Sequence, residues 1–158
     1  MADPESGGSS TAKPAGCKLQ LLFLKDLSFE APNVPAVLFG HEQPELQYSI
    51  ETHHELRGKD AFEVVLEVTV RAVGGGKTLF LVEVKQGGIF EMSGLTSDEM
   101  MVMLKTRAPE ALYPYVRELV ASLVSRGGFP RFQLPALDFA RLFAEQHLER
   151  KRATPPVA

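Results

Sequence analysis

The sequence predicts an α+β fold in which a four-stranded antiparallel sheet is followed by a long helix and a C-terminal helix. In the first half of the chain apolar and polar residues alternate, as around Leu46, Tyr48 and Ile50, which is typical of a strand with one buried face. In the second half the spacing of apolar residues changes to that of a helix. The chain has 158 residues, of which 44% are hydrophobic and 23% charged, so it is long enough for one domain with a packed core.

Four segments of the first half have the composition of strands: 18–29, 46–51, 62–73 and 79–84. The segment between the first two, 30–44, contains three prolines and is predicted to be irregular. Gly74, Gly75 and Gly76 predict a hairpin turn, because glycine tolerates positive φ. The short connections make an antiparallel meander the simplest arrangement.

The second half predicts three helices, at residues 98–105, 112–124 and 139–148. Thr96 or Ser97 is expected to cap the first helix, and Asp138 the last. Pro114 is expected in the first turn of the long helix, and Gly127 just after its end.

Both ends of the chain differ in composition from the middle. Residues 1–16 and 153–158 are poor in large apolar residues and are predicted to be disordered tails, which leaves a domain over residues 17–152.

The sequence has no secretory signal and no apolar run near the roughly 20 residues of a membrane helix. Cys17 is the only cysteine, so an intrachain disulfide is excluded. We therefore expect a cytoplasmic protein without direct membrane insertion.

The net charge of −3 is unevenly distributed. Residues 17–100 contain 7 basic and 13 acidic residues, whereas residues 101–158 contain 9 basic and 5 acidic residues. A nucleic-acid-binding protein would concentrate basic residues on one face, so no nucleic-acid partner is predicted. An acidic first half favours a basic protein partner instead.

Three patterns with catalytic or ligand-binding potential are incomplete. Gly74–Thr78 is similar to the end of a phosphate-binding loop, but position 71 is Arg71 where that motif needs glycine, and a strand follows. His53 and His54 are adjacent, so on a strand they point to opposite faces and cannot chelate one metal ion together. Ser93 lacks the glycines of a nucleophile elbow. The sequence therefore predicts no catalytic residue, no metal site, no cofactor and no enzyme.

Other residues leave two interpretations open. The apolar segments 64–66 and 79–82 have no polar face, which favours a second surface covered by another subunit or a ligand over generous coverage by the helices. The carboxylates of Asp26, Glu30 and Glu83 are either solvated or directed at a partner. Apolar residues in the irregular segments either pack under loops or line a peptide-binding groove.

Four segments resemble motifs of the SecB family of bacterial protein-export chaperones, in the same order and spacing: Lys25–Asn33, Glu83–Phe90, Leu112–Glu118 and Ser125–Pro130. The resemblance extends from about Leu19 to Leu148. It implies a SecB-like α+β subunit that assembles into a homotetramer, as a dimer of dimers.

The resemblance also implies the function. SecB proteins are ATP-independent holdases without enzymatic activity, which keep unfolded precursor proteins competent for export and deliver them to the SecA translocation motor. The acidic residues would meet the basic, zinc-containing C-terminal tail of SecA, and the zinc belongs to that partner. The alternative is a SecB-like chaperone that serves a toxin–antitoxin pair.

Three sets of residues are implied by the family alone. The SecA-binding set is Asp26, Glu30, Leu81 and Glu83. The oligomer-interface set, expected on the opposite face of the strand, is Val82, Val84 and Gln86. The client-groove set is Val37, Phe39, Tyr113, Tyr115, Phe129, Phe132, Leu134 and Phe139. One departure stands out, since Glu42 occupies a position where the family often has tryptophan.

Overall fold

The computed structural model describes residues 15–41 and 43–154, and it confirms the predicted fold class. The strands are β1 (Gly16–Glu30), β2 (Glu45–Gly58), β3 (Ala61–Gly74) and β4 (Lys77–Ser93). The helices are α1 (Ser97–Lys105), α2 (Arg107–Arg126) and α3 (Phe139–Ala153), and a short 3-10 helix spans Ala36–Phe39. None of the helices in the described residues is long and apolar enough to cross a membrane.

The predicted tails fall largely outside the described residues, as does Glu42. At the margins the structure reaches further than the predicted domain, since Gly16 begins β1 and Ala153 ends α3.

The strands lie in the order β1-β4-β3-β2, and all neighbours are antiparallel. The simple meander is therefore wrong for one strand: β2, β3 and β4 follow each other, but β1 pairs with β4 on its other side. The proline-rich segment between β1 and β2 carries the chain from one edge of the sheet to the other. β4 also runs nine residues further than the predicted strand, to Ser93.

The two faces of the sheet have different roles. The inner face carries the even-numbered residues of β3 and β4, such as Val64, Leu66, Val82 and Val84, which are fully buried. α2 covers this face with a stripe of fully buried residues at helical spacing: Leu112, Val116, Val120 and Val124. The outer face carries the odd-numbered residues of β3 and β4 and their cross-strand partners, and most of its charged side chains are at least partly exposed.

Three helix ends follow the expected capping rules. Thr96 caps α1 in a reciprocal capping box with Glu99, and the side chain of Asp138 accepts a hydrogen bond from the N–H of Arg141 at the start of α3. The N–H of Gly127 donates to Leu123 O at the end of α2. The expected position of Pro114 was wrong: α2 begins seven residues before this proline, which lies inside the helix.

Gly87 and Gly88 allow two apolar groups to approach β4 from opposite sides. A Cβ atom at Gly88 would lie 2.9 Å from Leu19 Cδ1 and 3.0 Å from Leu112 Cδ2, on the inner face. A Cβ atom at Gly87 would lie 2.3 Å from the ring of Phe23, on the outer face. Larger residues here would separate α2 from the sheet or displace the Phe23 ring.

Candidate functional site

The four residues of the predicted SecA-binding set lie together on the outer face, where β1 pairs with β4. Glu30 is directly opposite Leu81, and Ser28 is directly opposite Glu83. The hydroxyl of Ser28 donates to the Glu83 carboxylate over 3.3 Å. Three of the four are exposed carboxylates, and Leu81 is a half-buried apolar residue among them. We call Asp26, Glu30, Leu81 and Glu83 the acidic patch.

The acidic patch continues as a row of charged residues across the whole sheet. Asp26 pairs with Lys85, Lys85 with Glu67, and Glu67 with Glu51. Lys85 Nζ lies 4.0 Å from Glu67 Oε1, so the ammonium partly compensates the neighbouring acids. The outer face is therefore acidic at both ends of this row, with one cation between them.

Glu63 differs from these exposed acids because it is engaged within the chain. Its carboxylate accepts hydrogen bonds from Lys25 and, over 2.9 Å, from Arg57 Nε. The hydrogen bond from Lys25, supported by Arg57, lowers the pKa of Glu63 although burial acts in the opposite direction. Glu63 therefore fixes β1 and β2 to β3, and its negative charge is compensated by Lys25 and Arg57 within the chain.

The predicted oligomer-interface set lies on the inner face, as expected from its alternation with Leu81 and Glu83. Val82 and Val84 are fully buried within the protomer. Gln86 is also buried, and its Nε2 donates to the carbonyl oxygen of Phe23 over 2.8 Å. All three side chains are thus packed within the protomer, where they fix the position of β4.

Three residues of the predicted client groove converge on one apolar cavity of about 270 Å³. Val37 contributes from the 3-10 helix segment, and Phe129 and Phe132 from the loop between α2 and α3. The ring centroids of Phe80 and Phe129 are 5.1 Å apart, which places an aromatic wall along the cavity. We call this cavity the apolar groove.

Apolar residues outside the predicted client-groove set also line the apolar groove: Leu38, Leu46, Leu79 and Phe80. Leu79 and Phe80 appear in the sequence only as part of an apolar strand. Their role depends on the close approach of the segment 31–41 to the start of β4, which Asn33 supports by donating to the carbonyl oxygen of Thr78 over 2.9 Å.

The remaining predicted groove residues lie elsewhere. Tyr113, Leu134 and Phe139 belong to the buried core, where the rings of Tyr113 and Phe139 meet edge to face. Tyr115 is 46% exposed on α2, and Phe39 is 80% exposed at the end of the 3-10 helix. The structure thus brings together three of the eight predicted residues.

Two hydrogen bonds hold the loop after α2 against that helix. The hydroxyl of Tyr113 donates to the carbonyl oxygen of Pro135, and Arg117 Nε donates to the carbonyl oxygen of Leu134 over 2.9 Å. Burial raises the pKa of Tyr113. Tyr113 does not line the apolar groove, but it fixes the loop that carries Phe129 and Phe132, which do.

A second cavity, of about 470 Å³, lies between β2 and α3. Its apolar lining includes Ile50, Phe139, Leu142 and Phe143. Lys105 Nζ lies at its wall and donates to the carbonyl oxygen of Thr52 over 3.2 Å, and burial lowers the pKa of this lysine. The cavity is thus amphipathic, whereas the apolar groove is mainly hydrophobic.

The chain matches the family described as SecB, Preprotein translocase subunit SecB, over residues 10–150. Protein-export protein SecB of Xanthomonas campestris is 41% identical over 140 residues, which cover 89% of this chain and 82% of the relative. Protein-export protein SecB of Xylella fastidiosa is 43% identical over 132 residues, which cover 84% and 77%.

Among solved structures, the fold is similar to that of the Mycobacterium tuberculosis SecB-like chaperone in complex with an antitoxin peptide. The TM-score is 0.65 at 20% identity, and the match covers 77% of this chain and 90% of that one. The fold, the family match and the sequence identity to proteins named protein-export protein SecB all indicate the same family. The chain belongs to the SecB family.

Proposed function

We propose that this chain is an ATP-independent holdase that keeps precursor proteins unfolded in the cytoplasm and delivers them to SecA. Its membership of the SecB family makes it an export chaperone. The observation that supports the finer proposal is the separation of two surfaces on one protomer. The apolar groove suits an unfolded chain, and the acidic patch on the outer face suits a basic partner.

Client binding would depend on the apolar groove. Unfolded precursors expose apolar segments, and an aromatic wall built from Phe80 and Phe129 can accept such segments with little sequence preference. Several grooves on one particle would raise the overall affinity through effective concentration. Precursors that fold quickly would escape capture, because they bury these segments first.

SecA binding would depend on the acidic patch. Asp26, Glu30 and Glu83 are exposed, so their charges can steer the basic, zinc-containing tail of SecA towards the outer face. Leu81 would add an apolar contact at the centre. Phe80 of the apolar groove lies on the inner face of β4 and Leu81 of the acidic patch on its outer face, so client and motor would bind on opposite faces of the sheet.

The assembly that fits this mechanism is a homotetramer, a dimer of dimers. Val82, Val84 and Gln86 would contribute to it indirectly, by setting the position of β4. Light scattering at micromolar concentration should give about four times the chain mass of 17.4 kDa. A stable monomer at that concentration would contradict the tetramer.

The toxin–antitoxin alternative has weaker support. The structural relative with an antitoxin peptide is only 20% identical, so it bears on the fold alone. A dedicated antitoxin chaperone would also not need the acidic patch. We propose neither an enzymatic activity nor a nucleic-acid partner for this protein.

A refolding assay tests the holdase proposal. A slow-folding precursor diluted from denaturant should refold markedly more slowly with a stoichiometric excess of this protein, in the absence of ATP. A fast-folding mature protein is the matched control, and its rate should be unchanged. If the precursor refolds at its spontaneous rate, the proposal fails.

A further inference from the structure

Two carboxylates and an imidazole converge on the outer face where β2 pairs with β3. Glu51 and His53 are two residues apart on β2 and so share a face, and Glu67 is directly opposite Glu51. His53 Nε2 lies 3.3 Å from Glu67 Oε2 and 3.5 Å from Glu51 Oε2. All three side chains offer one ligand atom within 4.8 Å of the others.

The two ion-pair distances from His53 also match the separation of ligands around one tetrahedral metal ion. Zinc binds imidazole nitrogen and carboxylate oxygen at about 2.0–2.2 Å, and tetrahedral angles then separate two ligand atoms by about 3.4 Å. The measured separations from His53 are 3.3 and 3.5 Å. The backbone ladder of β2 and β3 fixes the positions from which the three side chains start, so little rearrangement is needed.

The negative charges of the two carboxylates in the cluster also favour a bound cation. Two glutamates directly opposite each other in a sheet repel, and a cation bound between them would relieve this repulsion. Lys85 approaches Oε1 of Glu67, whereas Oε2 of the same carboxylate faces His53. A metal ion bound through Oε2 therefore leaves Lys85 in place as an outer partner that orients the carboxylate.

We propose that Glu51, His53 and Glu67 bind one divalent transition-metal ion of the zinc class, with water at the fourth position. The site does not depend on the proposed chaperone function. The sequence predicted no metal site, because His53 and His54 are adjacent and face opposite sides of the strand. The other two ligands come instead from the same face of β2 and from across the ladder on β3.

Calorimetric titration of the untagged full chain with zinc chloride at neutral pH, after treatment with a chelator, tests this proposal. We expect saturable binding of one zinc ion per chain. His53→Gln and Glu67→Gln should each weaken the affinity at least about tenfold. His54→Gln is the matched control, because it changes the neighbouring histidine on the opposite face, and it should bind zinc as the unmodified chain does.

Cys17 carries the only thiol in the sequence, and a thiolate is a strong zinc ligand, so Cys17→Ser completes the experiment. This variant should keep both the stoichiometry and the affinity. The proposal is overturned by the absence of saturable binding, by equal losses in His53→Gln and His54→Gln, or by loss of binding in Cys17→Ser.

Discussion

Replacing Asp26 and Glu83 by lysine is expected to abolish SecA binding while precursor binding and the oligomeric state stay unchanged. The double variant D26K/E83K turns two exposed acids on the outer face into two cations beside Lys85. A basic tail would then meet cations in place of acids, and like charges at a docking site cost several kcal/mol. Both side chains lie outside the core, so the fold should survive.

SecA affinity is best measured by calorimetry at low and at moderate salt, because the loss should be largest at low ionic strength. The variant E118K/E149K, with exposed glutamates on α2 and α3, makes the same change in net charge away from the acidic patch. It should bind SecA nearly as well as the unmodified chain. Unchanged affinity in D26K/E83K, or an equal loss in the control, would contradict the docking site.

Gly88→Val is expected to destabilise the protein by about 3 kcal/mol, the upper end of the usual cost of overpacking a core. Its first added carbon would lie within 3.0 Å of Leu19, Leu112 and Phe90. Leu112 and Phe90 are almost fully buried, so they have no space into which to move. The long helix would be pushed away from β4.

Urea unfolding at one fixed protein concentration measures this effect, because the stability of an oligomer depends on concentration. Gly58→Val, near the end of β2, is the matched control, since a Cβ atom there meets nothing within 4 Å. It should change the free energy of unfolding by no more than about 0.5 kcal/mol. Equal stabilities of the two variants would show that the close approach at Gly88 is unimportant.

Local patterns predicted the elements well and their arrangement less well. Alternation and helical spacing identified the four strands and the helices, and the caps Thr96, Asp138 and Gly127 are confirmed. The meander failed because the pairing of β1 with β4 depends on contacts distant in sequence, which no local pattern reports. Pro114 was misplaced because tertiary packing keeps a proline inside α2 that propensity alone would place at a helix start.

The candidate sites were predictable to different degrees. The acidic patch came from motifs on two strands, and the register of β1 with β4 brings its members together. Only three predicted groove residues reach the apolar groove, because aromatic residues such as Tyr113 serve the core equally well. The cluster of Glu51, His53 and Glu67 was missed because a cross-strand site becomes visible only once the register is known.

The position of β1 at the edge beside β4 has a consequence for synthesis on the ribosome. Gly16 pairs with Ser93 and Glu30 with Leu81, so the first strand to be made has no partner until the last strand has emerged. The hairpin of β2 and β3 can form earlier, because its contacts are local and both of its strands precede β4. During this interval β1 exposes a long apolar strand with unsatisfied backbone groups, which is itself a target for aggregation. A protein that shields unfolded chains thus begins as a nascent chain with the same vulnerability.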